Sequence, residues 1–232
     1  MAPLLSFAAF ITSALAAALD TRQAGPGLRT DNYDNLAIVP GAPQLSRVGT
    51  YNGLDYNGWV AAQSGIPGIP NLCLLGDRLC LATFSVGLKP QSPPKIAATG
   101  LIETLTQIGS VSLRPFGTIA ASTSSGTNSY NLLSFYFGCI GNSATSVVTF
   151  ATRCTITVTG FYVTGVQAPT LRFTFEPTST TQSNLARAVL PASYSASLAG
   201  LKNVTIGIAE ADWSPTLTVL GIDDLVHLNR VV

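Results

Sequence analysis

Glu210 and Asp212 flank Ala211 and run directly into Trp213, which makes them the acidic pair that could act on a sugar beside an indole. In extended backbone, residues two apart share a face with Cα atoms roughly 6.5 Å apart. That separation suits the two carboxyls of a glycosidase, one protonating the leaving oxygen and the other serving as nucleophile or base. Such pairs normally flank the substrate from separate elements, and residues 209–215 read as the loop between the last two strands, so a solvated loop is the competing reading. Tyr51 and Tyr56, on a glycine-rich stretch, join Trp213 as aromatic faces able to stack on the C–H face of a pyranose. Trp59 sits among Val60, Ala61 and Ala62 and reads as core.

Other chemistries lack their residues. A Ser-His-Asp triad would have to use His227, the single histidine, and no Gly-x-Ser-x-Gly elbow exists, so His227 reads as a strand-edge residue. Phosphate-binding glycine loops and His-Glu-x-x-His are absent too. The four cysteines fall into two close pairs, Cys73 with Cys80 and Cys139 with Cys154. Neither spacing suits a zinc knuckle, and an even set in an exported chain favours two disulfides in that pairing.

Export is the reading of the leader. Residues 3–18 are apolar, end in Ala16-Ala17-Ala18 and give way to a polar stretch, the pattern of a signal peptide over residues 1–18. Residues 19–27 read as a flexible lead-in and 28–232 as a single domain. No later apolar run escapes interruption by Gly, Pro, Ser or Thr, and the C-terminus lacks a lipid-anchor tail. Asn203-Val204-Thr205 is a glycosylation sequon. A net charge of +1, from 12 basic and 11 acidic residues, with Lys89, Lys95 and Lys202 scattered, gives no footprint for nucleic acid or an anionic membrane. At 47% hydrophobic and 10% charged residues the chain can bury a large core, which excludes intrinsic disorder.

The elements that must position these residues are strands. Thr155-Ile156-Thr157-Val158-Thr159 alternates strictly, with Ile156 and Val158 inward, and Leu171-Arg172-Phe173-Thr174-Phe175 repeats the pattern. Residues 134–139, 203–208 and 216–222 add three more, the last apolar on both faces and therefore central. Residues 79–86 and 110–116 are further candidates, whereas residues 51–72 are broken by glycine and proline and receive no element. Only residues 101–108 suggest a helical turn or two. Roughly eight to ten short strands predict an all-β fold, a two-sheet antiparallel sandwich.

The order of Asn32-Tyr33-Asp34-Asn35-Leu36, Tyr51-Asn52-Gly53-Leu54-Asp55-Tyr56-Asn57-Gly58-Trp59, residues 134–139, residues 154–161 and Gly221-Ile222-Asp223-Asp224-Leu225 resembles fungal secreted proteins of galactose-binding-like, jelly-roll type. The first and last motifs depart from the Phe-Asp-Asp-Leu and Leu-Asp-Asn-Val usual there, which moves one carboxylate from the first motif to the last. The resemblance implies a jelly-roll sandwich and informs fold more than function, and the function expected here is a secreted, non-catalytic fungal surface or cell-wall protein that binds cell-wall or host glycans through loops at one end of the sandwich. A structural or host-interaction protein without a small ligand is the alternative. It also implies a structural calcium where Asp34 meets Asp223 or Asp224, since a few carboxylates with carbonyls and water can supply the six to eight oxygens calcium needs. Against it stands a turn-supporting Asp34 and an Asp pair on a strand edge. No other cofactor is expected.

Overall fold

The structure, a computed structural model, describes residues 26–36, 45–63, 72–73, 80–81, 87–100, 116–142, 149–180, 182–196, 198, 200–213 and 218–231. Its strands are β1 (Gly27–Asp31), β2 (Leu45–Tyr51), β3 (Leu54–Gln63), β4 (Leu72–Cys73), β5 (Cys80–Leu81), β6 (Gly87–Lys89), β7 (Lys95–Gly100) and β8 (Phe116–Ala121). The second half adds β9 (Ser129–Asn142), β10 (Thr149–Thr152), β11 (Cys154–Tyr162), β12 (Leu171–Phe175), β13 (Gln182–Asn184), β14 (Ala186–Val189), β15 (Leu201–Ala211) and β16 (Thr218–Arg230). A single turn of helix, α1 (Ala192–Ser195), precedes β15. The all-β expectation holds.

Most of the strands lie in one large sheet. The main sheet runs β10-β9-β16-β7-β3-β8-β15-β11-β12, with β1 on β16, β14 on β9 and β2 on β3. Leu201 of β15 then pairs with Tyr130 of β9, so β9, β16, β7, β3, β8 and β15 close into a ring. A twisted sheet of this many strands curls until its ends can meet, and the curled sheet encloses the core.

Alternation positions the strands as read. In β11 Ile156 and Val158 are buried while Thr157 and Thr159 look outward, and in β12 Arg172 and Thr174 are exposed. Thr218 to Asp223 of β16 are buried without interruption, in a strand that β9 and β7 flank and whose Gly221 lies against Ile96 and Leu88. Phe135, Phe137, Phe173 and Phe175 meet at tilted and edge-on angles with ring centroids 6.0 to 6.4 Å apart, an arrangement worth more than the area it buries. Residues 51–63, which carried no expected element, form the β2–β3 hairpin. Its turn is Asn52-Gly53, both left-handed at φ 46° and 87°, the conformation a two-residue hairpin loop requires. Gly117 of β8 lies under the buried Trp59 indole, where any Cβ would collide with the ring.

Cys139 and Cys154 are bonded, joining β9 to the start of β11. β4 and β5 place Cys73 directly opposite Cys80, but the side chains of that expected second bridge lie outside the described residues. So do residues 1–25, which hold the leader and most of the lead-in, and residues 101–115, which hold the helical candidate and most of the strand expected over 110–116. Among the described residues no helix is long and apolar enough to cross a membrane.

Candidate functional site

Three places hold the residues singled out from the sequence. At the end of the sheet marked by the disulfide, Trp213 follows β15 and keeps 38% of its surface exposed. Its indole stands perpendicular to the Phe150 ring, with 5.1 Å between centroids and 88° between planes. Gly141 of β9 leaves the space for this pair, since a Cβ there would lie 2.9 Å from Phe150 and 3.2 Å from Trp213. Asp212 is tied down beside it. Its backbone N–H donates to the Arg153 carbonyl at 3.1 Å, and its carboxylate lies 3.4 Å from the Arg153 guanidinium, which also donates to Glu176 at 2.6 Å. Trp213 thus directly follows an exposed ionic group of Asp212, Arg153 and Glu176.

Glu210 and Asp212 do not form a facing catalytic pair. A bulge in β15 turns both carboxylates outward, where Glu210 binds Arg172 of β12 and Asp212 binds Arg153. Both are exposed, each is engaged by its own arginine, and Glu210 lies within the strand rather than in the expected loop.

Tyr51 and Tyr56 are not surface rings. Both are buried, because the loop after β1 folds over the β2–β3 hairpin and covers them. Tyr51 donates to Asn35 Oδ1 at 2.6 Å, and Tyr56 donates to the Asp31 carboxylate. Tyr33 stands edge-on to Tyr56 at 5.6 Å and donates to its hydroxyl at 3.4 Å. Burial, reinforced by the Asp31 charge, holds the Tyr33 and Tyr56 phenols well above the ordinary tyrosine range, so both remain donors.

His227 belongs to the same interior network rather than to a strand edge. It is fully buried, its Nδ1 lies 2.8 Å from Asn229 Oδ1, and its Nε2 lies 3.2 Å from Asp31 Oδ2 without the alignment of a hydrogen bond. Asn52 donates to Asp31 at 2.7 Å, and Asn229 donates back to the Asn52 carbonyl at 2.8 Å. A carboxylate and an imidazole so placed resemble part of a triad, yet the hydroxyl that reaches Asp31 is a buried phenol and the group is sealed from solvent. The period-two burial of Leu225, His227 and Asn229 on β16 is the pattern that would have placed His227 inside.

Asp34, Asp223 and Asp224 do converge, at the point where β16 changes partner. β7 pairs with Val219 to Ile222 and β1 with Leu225 to Asn229 along the same edge, leaving a gap opposite Asp223-Asp224. Carboxylates fill in for the missing ladder. Asp223 accepts from the Ser92 N–H at 2.9 Å, the Ser92 hydroxyl at 3.1 Å and the Asp224 N–H at 2.8 Å, and Asp34 accepts the Lys95 N–H at 3.0 Å. The Lys95 ammonium donates to the carbonyls of Asp34 and Leu36, so a fixed cation already occupies oxygens that calcium would need. Among the described residues no three acidic, histidine or cysteine side chains gather as a metal site. The residues therefore do not fit a structural calcium, and their role is to end strands. Burial raises the Asp223 carboxyl to about 7 against the lowering effect of these hydrogen bonds, with the nearby Asp224 charge adding to the rise.

Asn203 of the sequon sits half-buried on the outer side of β15, opposite Ala120 and Phe161. The sequence matches no protein-family profile and no curated protein. A solved structure that it is similar to is a DUF4465 family protein from Bacteroides caccae, at 10% identity and a TM-score of 0.47, the alignment covering 88% of this chain and 99% of that chain.

Proposed function

We propose that this is an exported, non-catalytic protein of the fungal surface or cell-wall type that binds carbohydrate at its Trp213 end. The observation that carries the reading is the partly exposed indole of Trp213, which packs on Phe150 and directly follows Asp212, a member of the exposed ionic group with Arg153 and Glu176. An aromatic plane excludes water from the apolar face of a sugar ring, and ionised side chains at its border make the charge-assisted hydrogen bonds that orient hydroxyls. Export rests on the leader and is consistent with the Cys139–Cys154 bond. Glycosylation of Asn203 belongs to the same reading. A glycan array probed with the mature protein tests it: wild type and Tyr51→Phe bind a common set of glycans, and Trp213→Ala loses them. Release of reducing sugar that disappears in Glu210→Gln would instead favour a hydrolase.

A further inference from the structure

The hydrogens of the buried network around Asp31 can be placed one by one from their partners. Asn229 Nδ2 donates to the Asn52 carbonyl at 2.8 Å. Turning that amide over would set its oxygen against the carbonyl oxygen, so Oδ1 is the atom 2.8 Å from His227 Nδ1, and an amide oxygen only accepts. Nδ1 therefore carries a hydrogen. Asp31 accepts on both sides of its carboxylate, at Oδ1 from Asn52 Nδ2, 2.7 Å away, and at Oδ2 from the Tyr56 hydroxyl. Tyr56 in turn accepts from Tyr33.

The remaining contact sets His227 Nε2 3.2 Å from Asp31 Oδ2, with both side chains fully buried. A neutral imidazole with its hydrogen on Nδ1 presents a bare lone pair at Nε2. Facing a carboxylate oxygen away from water, that lone pair repels. One further proton turns the repulsion into attraction, and because both Asp31 oxygens already accept, it belongs on the ring. The contact lacks the alignment of a hydrogen bond, so the imidazolium holds Asp31 by charge, which acts at any angle. Other groups facing His227 offer no substitute. Tyr130 of β9 stands edge-on to it at 6.2 Å and donates to the Ile119 carbonyl. Arg29, opposite His227 on β1 and two residues before Asp31 on the same side of that strand, is a permanent cation.

We infer that the proton between His227 and Asp31 is a latch on the N-terminal strand and on the cover that follows it. β1 pairs with β16, and Asp31, its last residue, is what ties it across to Tyr56 of β3 and to Asn52 in the β2–β3 turn. The next residues, Asn32 to Leu36, cover Tyr51 and Tyr56, and their far end is held by Lys95. While Nε2 keeps its hydrogen, Asp31 is held and the cover stays shut. When that proton passes to solvent base, a lone pair and a carboxylate face each other, Asp31 moves away, and β1 loosens with the cover over the two tyrosines. The latch is thus closed on the acid side and opens as pH rises. It uses no residue of the Trp213 end.

The test uses the mature protein, in which His227 is the single histidine. Imidazole nitrogen NMR spectra, recorded as pH is raised until the Nε2 hydrogen is lost, read the protonation of each ring nitrogen. Amide exchange on the same samples, corrected for the intrinsic effect of pH, reads protection in β1 and in β11. Both ring nitrogens should carry hydrogen wherever β1 is protected, and loss of the Nε2 hydrogen should lower protection across Leu28 to Asp31 by about tenfold or more while β11 is unchanged. His227→Gln, whose amide donates to Asp31 at any pH, should keep β1 protected throughout. A ring with one hydrogen at every pH, a β1 still protected after Nε2 is bare, or loss of protection in β1 and β11 together would each overturn the latch. Loosening of β1 at the same pH in His227→Gln would overturn it too, by assigning the effect to Asp223. Should that variant not fold, the wild-type spectra and exchange decide by themselves.

Discussion

Asp223 accepts the Ser92 backbone N–H at 2.9 Å, joining positions 131 apart in sequence at the gap where β16 passes from β7 to β1. The contact replaces a missing strand partner, and it places a carboxyl where burial raises its protonation to about pH 7 from an ordinary value of 3.8. The folded state then keeps a proton between those values that the unfolded chain releases. Stability contributed by this group is therefore greatest near pH 4 and declines toward pH 7, by at most about 1.4 kcal/mol per pH unit. Asp34, raised in the same direction by burial, acts with the same sign. Urea midpoints between pH 4 and 8 check this. Asp224→Asn removes the like charge and should flatten the slope, and a stability that rises across this window would contradict the assignment.

Tyr56→Phe leaves the buried Asp31 carboxylate without its phenol donor. Loss of a hydrogen bond to a buried charge costs about 2 to 3 kcal/mol, read as a lower urea midpoint, while glycan binding should not change. A binding defect in a stable Tyr56→Phe protein would return that ring to the functional surface.

Much of the fold was legible where the two faces of a strand meet different surroundings. Thr155 to Thr159 and Leu171 to Phe175 announce themselves because one side packs on the phenylalanine cluster and the other meets solvent. The unbroken apolar start of β16 is legible for the opposite reason, being covered on both sides. Tyr51 and Tyr56 were not, because a tyrosine beside glycines looks the same in an open loop as in a hairpin whose cover arrives from Asn32 to Leu36. The convergence of Asp34 with Asp223 and Asp224 was readable from their places at the two ends of the domain. What they hold was not, since Lys95 reaches Asp34 only because β7 and β1 pair with the same edge of β16.

Gly117→Ala should destabilise the protein by about 1 to 3 kcal/mol, the usual cost of forcing atoms into a packed core. The added methyl collides with the buried indole of Trp59. Chemical denaturation reads the cost, and a neutral substitution would mean that the indole is not seated on β8.

The Cys139–Cys154 bond closes a loop of 15 residues, for which chain entropy gives about 3 kcal/mol. Cys139→Ala should lower unfolding stability by about that amount, and because this bond joins β9 to the strand leading to Arg153 and Asp212, it should also weaken glycan binding. Unchanged unfolding in Cys139→Ala would show that the bond does not constrain the chain as its span requires.

Binding at Trp213 is tested most directly by intrinsic fluorescence, because the chain has two tryptophans and the other, Trp59, is buried. Titrating the mature protein with a soluble oligosaccharide selected from the array should shift the emission to shorter wavelength and saturate as the Trp213 indole is covered. Trp213→Phe should keep the unshifted Trp59 emission throughout. An emission that ignores saturating oligosaccharide, or a shift of equal size in Trp213→Phe, would contradict carbohydrate binding at this end of the sheet.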